Sequence, residues 1–115
     1  MPMIRVYIAM PYGDYNTLEQ RQYNTEKAMA VWHTLADAGF APFCPHLSHF
    51  LHEFRNRPRE RWLAQSISWV SVCDCVLALG EESEGVRMEI NLALSLNKPV
   101  FRMLGSLADA YGMEV

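Results

Sequence analysis

The residue with the clearest potential for chemistry is Glu89, a carboxylate on the apolar side of a predicted helix. The segment 85–96 has helical periodicity, and its polar residues share one face: Arg87, Asn91 and Ser95. Glu89 falls on the other face with small and apolar neighbours, namely Gly85, Val86, Leu92, Ala93 and Leu96. Burying an ionised carboxylate is costly unless it is paired or hydrogen-bonded, and such groups concentrate at functional sites. We therefore expect Glu89 to be functional; the alternative is a structural carboxylate bonded to a neighbouring backbone group or hydroxyl.

The loop that precedes this helix has the composition of an anion-binding helix N-terminus. Gly80, Ser83 and Gly85 bring backbone amides and a hydroxyl to the positive end of the helix, where a phosphate or carboxylate is favoured. A serine that simply caps the helix explains the same residues. The sequence has neither the Gly-x-Gly-x-x-Gly pattern nor the Gly-x-x-x-x-Gly-Lys-Ser/Thr pattern, so it gives no support for a dinucleotide or triphosphate site of the usual kinds.

Strands and helices alternate along the chain. The sequence predicts strands over 4–9, 40–45, 75–79 and 100–103, and helices over 16–39, 62–70 and 83–96. The prolines of the second strand favour an edge position. Residues 46–61 have no clear periodicity, and the tail from 105 to 115 is left unassigned.

This alternation predicts an α/β protein with a doubly wound, mostly parallel sheet of four or five strands, in a single domain over 1–115. In such sheets ligands bind outside the carboxyl ends of the strands, where the strand order switches. Those ends are residues 9–14 after the first strand and 80–85 after the third. We expect the two loops to converge on the site.

Composition narrows the possible partners. A net charge of −3 gives no general attraction for a nucleic acid polymer, and no apolar stretch approaches the length of a membrane span. The odd number of cysteines, three, and the absence of a secretory signal predict a cytoplasmic protein.

The segment 46–61 is rich in histidine and arginine. His46, His49 and His52 recur every third residue, yet nearby carboxylates are sparse and Cys-x-x-Cys is absent, so we predict no metal and no other cofactor. The histidines are interpreted as part of a loop that lines a ligand pocket, or as plain surface. Four alternating arginines follow, which either meet a phosphate or an acidic subunit face or, as is more usual, form solvated surface: Arg55, Arg57, Arg59 and Arg61.

Four motifs together resemble the nucleoside 2-deoxyribosyltransferase-like superfamily, which includes the 2′-deoxynucleoside 5′-monophosphate N-glycosidases. They are Tyr7-Ile8-Ala9-Met10-Pro11-Tyr12, Cys73-Asp74-Cys75-Val76, Ser83-x-Gly85-x-x-x-Glu89 and Asn97-Lys98-Pro99-Val100. The resemblance extends from residue 7 to residue 100. It implies a flavodoxin/Rossmann-like three-layer fold, a small nucleoside or nucleotide as substrate, and a homo-oligomer.

The resemblance also implies roles for individual residues. Glu89 matches the nucleophile that attacks the anomeric carbon, and Tyr7 matches the tyrosine that positions it. Ser83 stands where the transferases have an aspartate for the sugar hydroxyls and the monophosphate hydrolases have a serine for the 5′-phosphate. The remaining substrate-binding residues are expected on the loops, at Ala9, Pro11, Tyr12, Asp14, His46 and Gly85.

One departure concerns the acid that protonates the departing base. The family has an aspartate three residues before a tryptophan, and the corresponding residue here is Ser66, upstream of Trp69. Serine is a poor general acid, which leaves Asp14 and His46 as the candidates. The sequence therefore predicts an enzyme acting on the N-glycosidic bond of a nucleoside or nucleoside 5′-monophosphate, with a catalytically weak or inactive nucleotide-binding module as the alternative.

Overall fold

The computed structural model describes residues 2–13 and 17–115, which form four strands and five α-helices. The strands are β1 (Arg5–Ala9), β2 (Ala41–Phe43), β3 (Cys75–Ala78) and β4 (Val100–Phe101). The helices are α1 (Leu18–Asp37), α2 (Ser48–Phe54), α3 (Arg59–Val70), α4 (Glu84–Ser95) and α5 (Leu104–Ala110). A single turn of 3-10 helix, Pro45–Leu47, precedes α2.

The sheet has the order β2-β1-β3-β4, and all three strand pairs are parallel. β1 and β3 are the central strands, and Val6 of β1 pairs with Cys75 of β3. The chain leaves β1 toward β2 on one side and returns to β3 on the other, so the strand order switches between β1 and β3. The predicted parallel α/β fold and the edge position of β2 are both confirmed.

Helices cover both faces of the sheet because the central strands alternate their side chains between two cores. Val6 and Ile8 enter a core that α1 and α5 complete, with Leu35 and Leu107 among its members. Tyr7 and Ala9 face the opposite way, into a core completed by α3 and α4. The other buried residues of this α3–α4 core include Val70, Val86, Ile90 and Ala93. Tyr7 and the apolar face of α4 are thus on the same side of the sheet.

Two segments differ from the expectations. Residues 46–61, which lack periodicity, contain α2 and the start of α3. α2 has only seven residues and leaves Phe50 and Phe54 exposed, so it has no continuous apolar stripe that a sequence pattern would reveal. The unassigned tail forms α5, whose Leu107 and Ala108 are buried. Packing against the rest of the protein, rather than periodicity, stabilises both short helices.

Hydroxyl side chains cap the starts of α1 and α4. Thr17 caps α1, since its side chain accepts a hydrogen bond from the backbone N–H of Gln20, and the predicted first residue Asn16 lies outside the described residues. Ser83 caps α4 in the same way. Within residues 2–13 and 17–115, no helix is both long enough and apolar enough to cross a membrane.

Candidate active site

The loops after β1 and β3 meet, as predicted from the switch in strand order. The backbone N–H of Leu79 donates to the carbonyl of Ala9 at 3.1 Å, which continues the β1–β3 ladder to the carboxyl ends of both strands. Gly80 follows with φ of +79°, and a Cβ placed on it would lie 3.6 Å from Cδ of Pro11. The left-handed conformation favours glycine, and it turns the chain from β3 toward α4.

Glu89 lies close to this junction and is 6% exposed. The hydroxyl of Tyr7, which is fully buried on β1, donates a hydrogen bond to its Oε2 atom. Burial raises the pKa of Glu89 to about 7, and the hydrogen bond from Tyr7 acts in the opposite direction. Burial, followed by the nearby charge of Glu89, raises the pKa of Tyr7 well above its usual value. At neutral pH the tyrosine therefore keeps its proton and donates, while the carboxyl group is poised between its two states.

Tyr7 is held from two further directions. Its ring stacks on Phe43 of β2 with centroids 5.7 Å apart, and Phe43 stacks in turn on Trp69 of α3 at 5.0 Å. The hydroxyl side chain of Ser66, one turn before Trp69 on α3, lies beside the Tyr7 hydroxyl and lowers the pKa of Tyr7, which partly offsets the effect of burial. Ser66 of α3, Tyr7 of β1 and Glu89 of α4 are therefore neighbours on the same side of the sheet, and Tyr7 is hydrogen-bonded to Glu89.

Glu89 opens into a cleft of about 290 Å³. The cleft is bounded by the loop after β1, by α1, by the segment from Pro45 through α3, and by the first turns of α4. Its described lining residues are Met10, Tyr12, Arg21, Pro45, His46, Ser48, His52, Arg57, Arg59, Trp62, Leu63, Ser66, Ser83, Gly85, Val86 and Glu89.

Most of the residues singled out in the sequence come together here. Five line the cleft: Tyr12, His46, Ser83, Gly85 and Glu89. Tyr7 reaches it through its hydrogen bond to Glu89. Ala9 and Pro11 do not line it; Ala9 is fully buried in β1, and Pro11 packs beside Gly80. Asp14 lies outside the described residues.

The N-terminus of α4 forms one end of the cleft. Ser83 Oγ accepts a hydrogen bond from the backbone N–H of Val86 at 3.3 Å, so this hydroxyl acts as a helix cap and still has its hydrogen to donate. The neighbouring Glu82 forms an ion pair with Arg102, which offsets its negative charge beside the helix N-terminus. The structural and the ligand-binding interpretations of Ser83 are therefore compatible.

The three histidines of the 46–52 segment each have a different partner. Nε2 of His46 lies 3.3 Å from the carbonyl of Pro11 and, since a carbonyl only accepts, donates to it. Nδ1 of His49 is 2.7 Å from the hydroxyl of Tyr12. Nδ1 of His52 accepts from the indole N–H of Trp62 at 2.8 Å and from the backbone N–H of Arg57 at 3.3 Å. In the part of the chain that the structure describes, no group of three or more His, Cys, Asp or Glu side chains is arranged to hold a metal ion.

The arginine run was noted in the sequence, with a phosphate contact as one interpretation, but its members were not selected as site residues. Arg57 and Arg59 are half-buried and line the cleft, whereas Arg55 and Arg61 of the same run are exposed. Pro58 separates the two inward residues and caps the start of α3, so the run crosses a bend instead of following one helix face. The predominant interpretation of the run as solvated surface is therefore wrong for its two central members. Arg21, one turn into α1, adds a third guanidinium to the lining.

Comparison with known protein families gives one match over most of the chain. A family model described as "Domain of unknown function (DUF7768)" matches residues 4–103. No curated protein matches the sequence.

Solved structures share the fold at low sequence identity. A 2-desoxiribosyltransferase from Leishmania mexicana has 17% identity and a TM-score of 0.54 over 84% of this chain and 61% of its own. A 2-deoxyribosyltransferase from the psychrotolerant bacterium Bacillus psychrosaccharolyticus has 19% identity and a TM-score of 0.53 over 84% of this chain and 69% of its own. This chain thus spans less than two thirds of the first of these proteins. The deoxyribosyltransferase-like fold expected from the four motifs is confirmed.

Proposed function

This chain belongs to the DUF7768 family, and we propose that it acts on the N-glycosidic bond of a nucleoside or nucleoside 5′-monophosphate, with Glu89 as the nucleophile. The observation that carries the proposal is the buried Tyr7–Glu89 pair at the wall of a cleft formed where β1 and β3 end. The likeness to two deoxyribosyltransferases adds support at the level of the fold.

The environment of Glu89 suits a nucleophile. One carboxyl oxygen is engaged by Tyr7, which fixes the orientation of the group. Burial removes water that would otherwise solvate the ionised form, and it raises the pKa to about 7, so a substantial ionised fraction remains at neutral pH. A carboxylate held in this way can attack a carbon that develops positive charge, as the anomeric carbon of a sugar does.

The reaction would proceed through a covalent intermediate. Glu89 forms a bond to C1′ as the bond between C1′ and the base nitrogen breaks, and the base leaves with the electron pair and takes up a proton from the solvent. Water, which gives a proton back to the solvent, or a second base then attacks C1′, and the bond between C1′ and Glu89 breaks to release the carboxylate. Ser83 and Gly85 at the N-terminus of α4, together with Tyr12 on the β1 loop, would hold the sugar or phosphate against Glu89.

A second candidate is a module of the same fold that binds nucleotides without turning them over. The observation that favours it is the position of Ser66 beside Tyr7 at the wall of the cleft, because the resemblance places the general acid at Ser66 and a serine hydroxyl is a poor acid. Among the described lining residues, Glu89 is the one carboxylic acid, and Nε2 of His46 is engaged by Pro11. In this interpretation the cleft binds the substrate but protonates the leaving base slowly.

Product analysis separates the two functions. The protein is incubated with 2′-deoxynucleosides and with their 5′-monophosphates, and free base is measured by chromatography. We expect free base from the wild-type chain and none above background from Glu89→Gln, while the exposed Glu26→Gln variant retains activity. Binding without release of base would support the second candidate. Release by the Glu89→Gln variant at the wild-type rate would exclude Glu89 as the nucleophile.

Trapping tests the covalent step directly. A nucleoside with fluorine at C2′ destabilises positive charge at C1′ and slows breakdown of a glycosyl–enzyme intermediate. Intact-protein mass spectrometry should then find the mass of the chain plus one fluorinated sugar, and peptide mapping should place the modification on Glu89. A modification at another residue would contradict the assignment.

A further inference from the structure

Among the described residues, the side chains on one side of the cleft offer hydrogen-bond donors and positive charge. This side is formed by His52 at the end of α2, Arg57 in the turn and Arg59 at the start of α3, all of which line the cleft. We call these three residues the donor wall. Arginine carries five N–H donors and no acceptor, so the ligand group that faces two arginines has to accept.

The hydrogen bonds of His52 make it a donor as well. The two groups that contact its Nδ1, the indole N–H of Trp62 and the backbone N–H of Arg57, can donate but cannot accept. Nδ1 therefore carries no hydrogen, and the ring hydrogen is on Nε2. The polar atom that His52 has left to offer a ligand is an N–H.

The same hydrogen bonds position the arginines. His52 accepts a hydrogen bond from the backbone N–H of Arg57, which ties the turn between α2 and α3 to α2. The same ring nitrogen accepts from Trp62, which ties the first turns of α3 to α2 as well. Arg57 and Arg59 are half-buried as a result, whereas Arg55 and Arg61 remain exposed. The inward direction of the two central arginines is thus built into the fold and is not a chance arrangement of a surface run.

We propose that the donor wall is the anion subsite of the cleft and binds the phosphate of a phosphorylated substrate, which leaves Ser83 to the sugar. This inference rests on the proposed function for the identity of the rest of the substrate. A phosphate monoester is mostly doubly ionised at neutral pH and then has only acceptor oxygens, and two guanidiniums with one imidazole N–H match it in charge and in hydrogen-bonding character. Glu89, the one acid among the described lining residues, is the group that faces the sugar in the proposed reaction.

The test measures binding on the Glu89→Gln background, so that turnover does not consume the ligand. The probes are a deoxynucleoside 5′-monophosphate, the same deoxynucleoside without phosphate, and inorganic phosphate, each followed by calorimetry. We expect the monophosphate to bind about tenfold to a hundredfold more tightly than the deoxynucleoside. Replacing both Arg57 and Arg59 by Gln should abolish most of that preference and leave deoxynucleoside binding unchanged.

The exposed arginines of the same run provide a matched control. Arg55→Gln with Arg61→Gln removes the same charge from the same segment, and the preference for the monophosphate should persist. The proposal would be overturned if the preference for the monophosphate survives the loss of Arg57 and Arg59. It would also be overturned if Ser83→Ala removes the preference instead, since the phosphate would then bind at the N-terminus of α4. Inorganic phosphate should compete with the monophosphate but not with the deoxynucleoside; competition with both would place phosphate outside the donor wall.

Two further readouts keep the result interpretable. If the variant lacking Arg57 and Arg59 fails to fold, the salt dependence of binding to the Glu89→Gln chain is measured instead. The affinity for the monophosphate should fall with increasing ionic strength, while the affinity for the deoxynucleoside should not. Equal salt dependence of the two ligands would overturn the proposal. Base release distinguishes this inference from the proposed function. If the protein prefers the monophosphate but releases no base, the phosphate subsite is supported and the proposed enzymatic function is contradicted. If base is released equally from both substrates and the loss of Arg57 and Arg59 does not change this, the enzymatic function is supported and the phosphate subsite is contradicted.

Discussion

Tyr7 and Glu89 are 82 residues apart in the chain and share a buried hydrogen bond. They meet because β1 and α4 lie on the same side of the sheet, with Tyr7 projecting from the central strand into the core that α4 completes. The folded structure therefore sets the pKa of Glu89. Burial raises the pKa of its carboxyl group, and the hydrogen bond from the Tyr7 hydroxyl partly counteracts that rise. Most of the measurable consequences of the site follow from this shift in pKa.

The activity should depend on pH through Glu89. Glu89, as the proposed nucleophile, has to be ionised to react, and its pKa is about 7, so kcat/KM should rise about tenfold per pH unit below pH 7 and level off above it. The measurement is initial-rate base release between pH 5 and pH 9 in buffers of constant ionic strength. An acid limb near the ordinary glutamate value of 4.5 would show that burial does not control the reacting group.

Removing the hydroxyl of Tyr7 should shift the acid limb of the pH–rate profile to higher pH. Tyr7→Phe keeps the ring that stacks on Phe43 but deletes the donor to Glu89, and a hydrogen bond to a charged group contributes about 1.5–3 kcal/mol. The pKa of Glu89 should rise by about one unit or more, which lowers the ionised fraction, and with it kcat/KM at pH 7, by about fivefold or more. Tyr23→Phe, on the exposed face of α1, is the matched control and should leave the profile unchanged. An unshifted acid limb in Tyr7→Phe would separate the tyrosine from the ionisation of Glu89.

Glu89 should also reduce the stability of the protein at neutral and alkaline pH. Its pKa is raised from 4.5 to about 7 on folding, so the folded state binds more protons between these values and the free energy of unfolding falls as pH rises through this window. The loss is complete above pH 7 and amounts to about 3 kcal/mol. Glu89→Gln should therefore raise the free energy of unfolding at pH 8 by up to about this amount, and have little effect at pH 4.

Chemical denaturation at the two pH values checks this prediction. Glu26→Gln, at an exposed position of α1, provides the reference for removal of a carboxylate that is not buried. Equal stability of the Glu89→Gln and wild-type chains at pH 8 would mean that the hydrogen bond from Tyr7 offsets the whole cost of burial.

A comparison of the helix caps Ser83 and Thr17 distinguishes the structural role of Ser83 from its proposed role in binding. Ser83→Ala and Thr17→Ala each remove the side-chain acceptor at a helix N-terminus, and each should lower the free energy of unfolding by about 1 kcal/mol. Ser83→Ala should in addition raise KM for the sugar-bearing substrate, because Ser83 lines the cleft whereas Thr17 does not. Equal kinetic effects of the two substitutions would reduce Ser83 to a helix cap.

The sequence by itself determined the α/β alternation and pointed to the two loops that border the candidate site. Continuous apolar runs mark the buried central strands, and glycines mark the turns at their carboxyl ends, because both are local consequences of burial and backbone geometry. The apolar face of α4 identified Glu89 without knowledge of any neighbour. These features depend on residues within a few positions of one another, which is why a pattern is sufficient to find them.

Tertiary structure alone decided which distant side chains complete the site. α2 has no apolar stripe, so nothing in the local pattern revealed that it ends beside the cleft or that His52 there holds the turn carrying Arg57. Two arginines point inward and their two neighbours outward because a proline bend and a histidine hydrogen bond orient the turn, not because their chemistry differs. Ser66 of α3 likewise comes to lie beside Tyr7 of β1, which is hydrogen-bonded to Glu89 of α4. Contacts between segments far apart in the chain depend on how the layers pack, and a one-dimensional pattern does not encode that packing.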